Sequence, residues 1–145
     1  MSESQKTGLF IACYRIDTPI IGGPVFNLNL TANTPEETVH GIGVVTQKSI
    51  NPQLEIKTQL IGNFTYMTIM PDITHILVTT AGYPIIRWPP YGGIGPVLLT
   101  NVQLQMVLNK DWKSGTANYK YLDQQGDWKS INNAVVKLSS CPILT

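Results

Sequence analysis

The sequence predicts an all-β domain, an antiparallel up-and-down β-barrel or a strongly coiled β-sandwich of about seven to nine strands. Within Pro96 to Asn109, Val102, Leu104, Met106 and Leu108 alternate with Asn101, Gln103, Gln105 and Asn109, with Val107 as the break. Side chains on a strand point to opposite faces with a period of two, so this run buries one face and shows an uncharged amide face on the other. Comparable runs recur between Pro and Gly clusters, and no window carries a helical period. Long segments with glycines inside them supply the bends that closing a sheet requires.

The elements follow in order. Leu9 to Ile16 is a first strand, stopped by Asp17-Thr18-Pro19 and the Gly22-Gly23-Pro24 turn. In Val25 to Thr31, Phe26, Leu28 and Leu30 point inward and Asn27 and Asn29 outward. Asn33-Thr34-Pro35 leads to Thr38 to Gln47, where Gly41 and Gly43 share one face and mark a bend or the close approach of another backbone. Leu54 to Met70 is long for one strand, and Gly62 near its middle is a site for a bend or bulge at a barrel corner. Pro71-Asp72 reads as a turn, followed by a strand from near His75 toward Tyr83. A Pro-rich loop from Pro84 to Pro96 enters the amide-faced strand. Gly115 to Asp123 and Trp128 to Leu138 form a last hairpin with Gln124-Gln125-Gly126-Asp127 at its tip.

One domain is expected from 145 residues with no internal repeat, charge block or linker: residues 1–7 as a flexible tail and 8–145 as a single β-domain. Charged residues make up only 13% of the chain, about half the usual ~25%. Thr, Asn, Gln and Ser must therefore build much of the solvated surface. A net charge of +1 provides no field for nucleic acid or an anionic membrane. Such a surface tolerates self-association, and a homo-oligomer is expected.

The polar start Met1-Ser2-Glu3-Ser4-Gln5-Lys6-Thr7 lacks the apolar stretch of a secretory signal, and no apolar run approaches the ~18 residues of a membrane span. As written, the chain is expected in the cytoplasm. Cys13 and Cys141 are too few for a disulfide scaffold and read as buried free thiols, although pairing of the first and last strands would bring them together. Asn29-Leu30-Thr31 and Asn63-Phe64-Thr65 match the glycosylation acceptor pattern, which means little without a secretory route.

Catalytic chemistry finds little footing. His40 and His75 are the only histidines, and neither sits in a cluster with metal-ligand spacing, so no metal and no cofactor is expected. His75 beside Asp72 could serve as a general base, but a half-exposed structural histidine is the simpler reading. Glu36 and Glu37 are adjacent, and neighbours in a strand or turn point apart. Gly41-Ile42-Gly43 and Gly93-Ile94-Gly95 belong to no phosphate-binding pattern.

Two aromatic groups stand out. The loop Arg87-Trp88-Pro89-Pro90-Tyr91-Gly92-Gly93-Ile94-Gly95-Pro96 joins a guanidinium, an indole and a phenol on a backbone stiffened by proline. Rigid loops with aromatics commonly form binding surfaces, whereas the structural alternative folds Trp88 back to plug the domain. The second group is Asp111-Trp112-Lys113-Ser114-Gly115-Thr116-Ala117-Asn118-Tyr119 with Tyr121, Asp127 and Trp128. Aromatic faces beside amides suit neutral sugars, while Trp112 and Trp128 flanking a hairpin also read as a cross-strand aromatic pair.

The run Leu104-Gln105-Met106-Val107-Leu108, then Asp111-Trp112-Lys113-Ser114-Gly115-Thr116-Ala117-Asn118-Tyr119, with Phe64-Thr65-Tyr66-Met67-Thr68 and Trp88-Pro89-Pro90 upstream, resembles a family of small uncharacterised bacterial proteins classed as a domain of unknown function. The likeness covers about Gly8 to Leu138. It implies a bacterial, single-domain protein and brings no activity, cofactor or catalytic residue.

The expectation is a non-catalytic binding module for a neutral glycan or small amphipathic ligand, with Arg87, Trp88, Tyr91, Trp112, Asn118, Tyr119 and Trp128 as ligand-binding residues. A self-assembling structural protein is the first alternative, motivated by low charge and amide-rich strand faces. An enzyme is the second, with no nucleophile, base and orienting group to assemble from spacing.

Overall fold

A computed structural model describes residues 8–50, 53–69, 72–85 and 99–141. The strands are β1 (Leu9–Asp17), β2 (Val25–Asn33), β3 (Thr38–Gln47), β4 (Leu54–Ile69), β5 (Asp72–Pro84), β6 (Val102–Asn109), β7 (Ser114–Leu122) and β8 (Trp128–Ser139). Each pairs with its sequence neighbours, and β8 returns to β1, so the sheet closes as an eight-stranded barrel in simple up-and-down order. The choice between barrel and sandwich is thus decided for the barrel, which leaves no open sheet edge between elements.

Alternation writes the inside and outside of the wall. In β6, Val102, Leu104, Met106 and Leu108 are buried while Gln103, Gln105 and Asn109 face water, and Val107 is the half-buried break. Equivalent positions on the other strands fill the barrel, with Tyr14, Ile16, Phe26, Leu30, Leu60, Phe64, Ile76 and Tyr119 among its largest fully buried side chains. The glycines do what closure demands. A Cβ on Gly62 would run into the Thr79 carbonyl oxygen of β5, and one on Gly41 into the Asn29 carbonyl oxygen of β2. At Gly43 the space belongs to the Phe26 ring.

Asn101 departs from the outward amide face expected of it. It is 8% exposed, and its Oδ1 accepts the Thr58 hydroxyl at 2.8 Å while its Nδ2 donates to the Lys57 carbonyl at 3.1 Å. Its backbone N–H reaches Gly82 O at 2.9 Å, and its carbonyl accepts Leu122 N–H at 2.8 Å. One residue before β6 therefore ties β4, β5 and β7 together. The alternation stops there because the chain is leaving a loop, where backbone groups need side-chain partners.

The cysteines are also a correction. Cys13 and Cys141 form a disulfide with Cα atoms 5.3 Å apart, across 128 residues of chain. Pairing of β1 with β8 puts Cys13 opposite Ser139, within reach of Cys141. Up-and-down closure makes neighbours of the two ends of the chain, a relationship invisible in cysteine spacing.

The barrel has two dissimilar ends. At one, the turns at residues 34–37 and 110–113 are tight. At the other lie the β1–β2, β3–β4 and β5–β6 connections and the β7–β8 hairpin.

Candidate functional site

At the tight end Trp112 seals the barrel. Its ring meets Phe10 edge-on at 4.9 Å and Phe64 at 5.0 Å between centroids. The Tyr14 hydroxyl donates to its carbonyl at 2.8 Å. With φ of 66°, Trp112 occupies the left-handed region, uncommon for a bulky residue. Its N–H donates to Asn109 O at 2.9 Å, and the Asp111 carboxylate accepts the next N–H, that of Lys113, at 3.0 Å. A turn conformation of this kind persists only where its surroundings over-determine it.

Trp128 lies at the opposite end, facing Leu122 across the last hairpin. It is 43% exposed, against 2% for Trp112. The expected cross-strand pair of Trp112 and Trp128 therefore does not form: β7 runs the height of the barrel between them. The hairpin tip is set by Asp123, whose carboxylate accepts the N–H groups of Gln125 and Asp127, each at 2.9 Å. The Asp127 N–H, above all, holds the Asp123 carboxyl below its ordinary range.

Tyr119 points into the barrel, with its ring 5.2 Å from Phe26 and 6.2 Å from Tyr121. Burial pushes its hydroxyl up to about 12; nearby Thr18 opposes the rise, and Tyr121 and Asp17 add to it. The Thr18 proton goes to the Pro24 carbonyl at 2.5 Å, and no group stands at hydrogen-bonding geometry to the Tyr119 hydroxyl among the described residues.

Asn118 faces outward and shapes the wall. Register along β7 and β8 moves from Ala117 opposite Ala134 to Tyr119 opposite Ile131, so Asn132 and Asn133 together oppose Asn118 in a bulge. Asn133 takes φ of 58°, and its N–H donates to Asn118 Oδ1 at 2.9 Å. Arg87, Trp88 and Tyr91 lie outside the described residues.

The structure does not gather Trp112, Asn118, Tyr119 and Trp128 into one place, but it does assemble another site. A groove of about 530 Å³ runs over the outer wall from β4 to β8. Asn63 stands beside Thr79, Thr79 beside Gln105 and Gln105 beside Asn118, with Asn132 beyond in the bulge. The adjacent row is Ile61, Ala81, Gln103 and Lys120. Amides and a hydroxyl thus line one side, and the second row adds apolar surface, the Gln103 amide and the Lys120 cation. Gln103 and Gln105 were legible as an outward polar face, and Asn118 as a ligand-binding candidate. Their union with Asn63, Thr79 and Asn132 follows from register, which no stretch of sequence states.

His40 and His75 are exposed on the outer wall. No group of three His, Cys, Asp or Glu among the described residues is placed to hold a metal ion. No helix of the described residues is long and apolar enough to cross a membrane.

The model of a family described as a domain of unknown function, DUF1842, matches residues 7–128. No curated protein matches the chain.

Proposed function

We propose that this chain, which belongs to the DUF1842 family of domains of unknown function, is a non-catalytic binding module for a neutral glycan or small amphipathic ligand. The observation that carries the reading is the outer groove, where Asn63, Gln103, Gln105, Asn118 and Asn132 converge beside Ile61 and Ala81. Carboxamides donate and accept at once, so they match hydroxyl groups of either polarity, while short apolar side chains accept a ring face or an alkyl segment. Lys120 adds one positive charge at the groove's edge. Few charges stand there to select an ion, which favours a neutral ligand.

The test is an NMR titration of the isotopically labelled protein with neutral oligosaccharides and, separately, with neutral detergent monomers. Saturable shifts confined to residues 61–63, 79–81, 103–105 and 118–120 support the reading, as does their loss in Gln103→Ala and Gln105→Ala proteins that keep their melting temperature. Absence of shifts with every ligand tried sinks it.

A second reading, self-assembly, rests on a different observation. Ile20, Ile21, Ile50, Ile85, Leu99 and Trp128 are all exposed and all lie at the loop end. Apolar side chains gathered on one rim suit burial against another protein surface, including a second copy. Sedimentation that gives a discrete multimer, abolished by Ile21→Asp, supports this reading; a monomer at high concentration removes it.

A further inference from the structure

We infer that the Cys13–Cys141 disulfide is a redox latch on the one seam of the barrel that joins the two ends of the chain, and that a dithiol opens it. The β1–β8 ladder runs only from Cys13 opposite Ser139 to Asp17 opposite Val135, five residue pairs among the described residues. The β1–β2 ladder on the other side of the same strand has nine. Within the short seam Arg15 stands directly opposite Lys137, two cations facing outward side by side. Like charges at such positions destabilise a pair of strands. The Asp17 carboxylate accepts the Arg15 Nε–H at 2.8 Å and offsets only part of this, since it serves Arg15 alone among the described residues.

Seam formation must also close nearly the whole chain into a loop, an entropic penalty the other ladders, which join sequence neighbours, do not meet. The disulfide removes that penalty by holding residues 128 apart in sequence together. Its two residues differ in exposure. Cys13 is 3% exposed, whereas Cys141 belongs to an exposed residue just beyond β8. An attacking thiolate reaches the Cys141 sulfur first: a mixed disulfide forms there, the Sγ–Sγ bond breaks, and Cys13 leaves as a thiolate that takes up a proton. The second thiol of the dithiol then displaces Cys141 as a thiolate, which is protonated in turn. The protein gains two electrons and two protons, and the dithiol becomes a disulfide. Burial of Cys13 makes it a poor leaving group, so the latch resists monothiols and favours a reductant with its second thiol in place.

Opening has a local consequence. Cys13, Ser139 and Ser140 form one wall of a second outer groove, of about 460 Å³, whose other side is Asn29, Ile42 and Val44. Release of Cys141 frees that wall. An oxidising compartment keeps the latch closed and a reducing cytosol opens it.

Hydrogen–deuterium exchange on the full chain, before and after reduction with dithiothreitol and alkylation of the freed thiols, tests this. The expected result is exchange faster by about tenfold or more in residues 9–17 and 135–141, with residues 54–69 and 75–84 unchanged. A uniform rise across all strands, or no change in the seam, overturns the latch. Cys141→Ser without reductant should reproduce the local pattern, and a variant that does not fold also overturns it, because the bond would then support the whole barrel rather than one seam.

Discussion

Thr58 and Asn101, 43 positions apart, meet inside the loop end of the barrel, where the Thr58 hydroxyl donates to Asn101 Oδ1 at 2.8 Å. Thr58 is fully buried and Asn101 nearly so. Loss of Thr58 leaves the buried Asn101 Oδ1 without its donor, and loss of Asn101 leaves the Thr58 hydroxyl only the Tyr83 carbonyl, at 3.4 Å. Thr58→Val is expected to destabilise by about 1–3 kcal/mol and Asn101→Ala by somewhat more, since Asn101 also serves Lys57. Urea unfolding of both and of the double variant checks this: the double loss should fall short of the sum, and strict additivity would show that the pair is not coupled.

The Trp112 plug gives a second expectation. Trp112→Ala removes a ring packed edge-on against Phe10 and Phe64, which should lower stability by about 3–5 kcal/mol. A change under about 1 kcal/mol would mean that the tight end is sealed without it. Trp128→Ala, at the exposed rim, should stay within about 0.5 kcal/mol.

Tyr119 presents the reverse case, a buried hydroxyl without a hydrogen-bond partner among the described residues. Tyr119→Phe should be neutral or stabilising in chemical denaturation, because no hydrogen bond to the described residues is lost. The wild-type protein should also weaken in alkali. In the unfolded chain the phenol ionises near 10, while in the fold burial holds it up to about 12. Its stabilising contribution is therefore complete below pH ~10 and lost as pH rises toward 12. Melting temperatures from pH 8 to 12 should fall less steeply in Tyr119→Phe; identical slopes would place the alkaline transition elsewhere, with buried Tyr14 as the next group to test.

Asn118 separates wall-building from ligand contact. Asn118→Ala takes away the acceptor of the Asn133 N–H in the bulge and should cost about 1 kcal/mol. Gln105→Ala, on the neighbouring strand, should leave stability within about 0.5 kcal/mol. Equal losses from the two would mean that Asn118 does not pin the bulge.

Acid should loosen the last hairpin. Asp123 has its carboxyl lowered by the Asp127 N–H above all, so its contribution is present above the unfolded value of ~3.9 and disappears as pH falls through the lowered folded value. Asp123→Asn should flatten the acid side of the hairpin's exchange profile below pH ~4; an unchanged profile would remove Asp123 as the tip's anchor.

Alternation and punctuation alone were enough for the eight strands and most of their bounds, because a period of two and a proline or glycine break are local properties. Gly41 as the close approach of another backbone was legible for the same reason, whereas Gly62 also proved to be a close backbone approach and the space at Gly43 went to the Phe26 ring. The inward and outward faces of β6 were equally plain. What joins distant strands was not. Closure put Cys13 against Cys141, turned Asn101 inward to Thr58, sent Trp112 and Trp128 to opposite ends, and aligned Asn63, Thr79, Gln105 and Asn118 across four strands. These are register relationships between residues tens of positions apart, and the pattern within a strand says which face a residue takes but not which neighbour stands beside it.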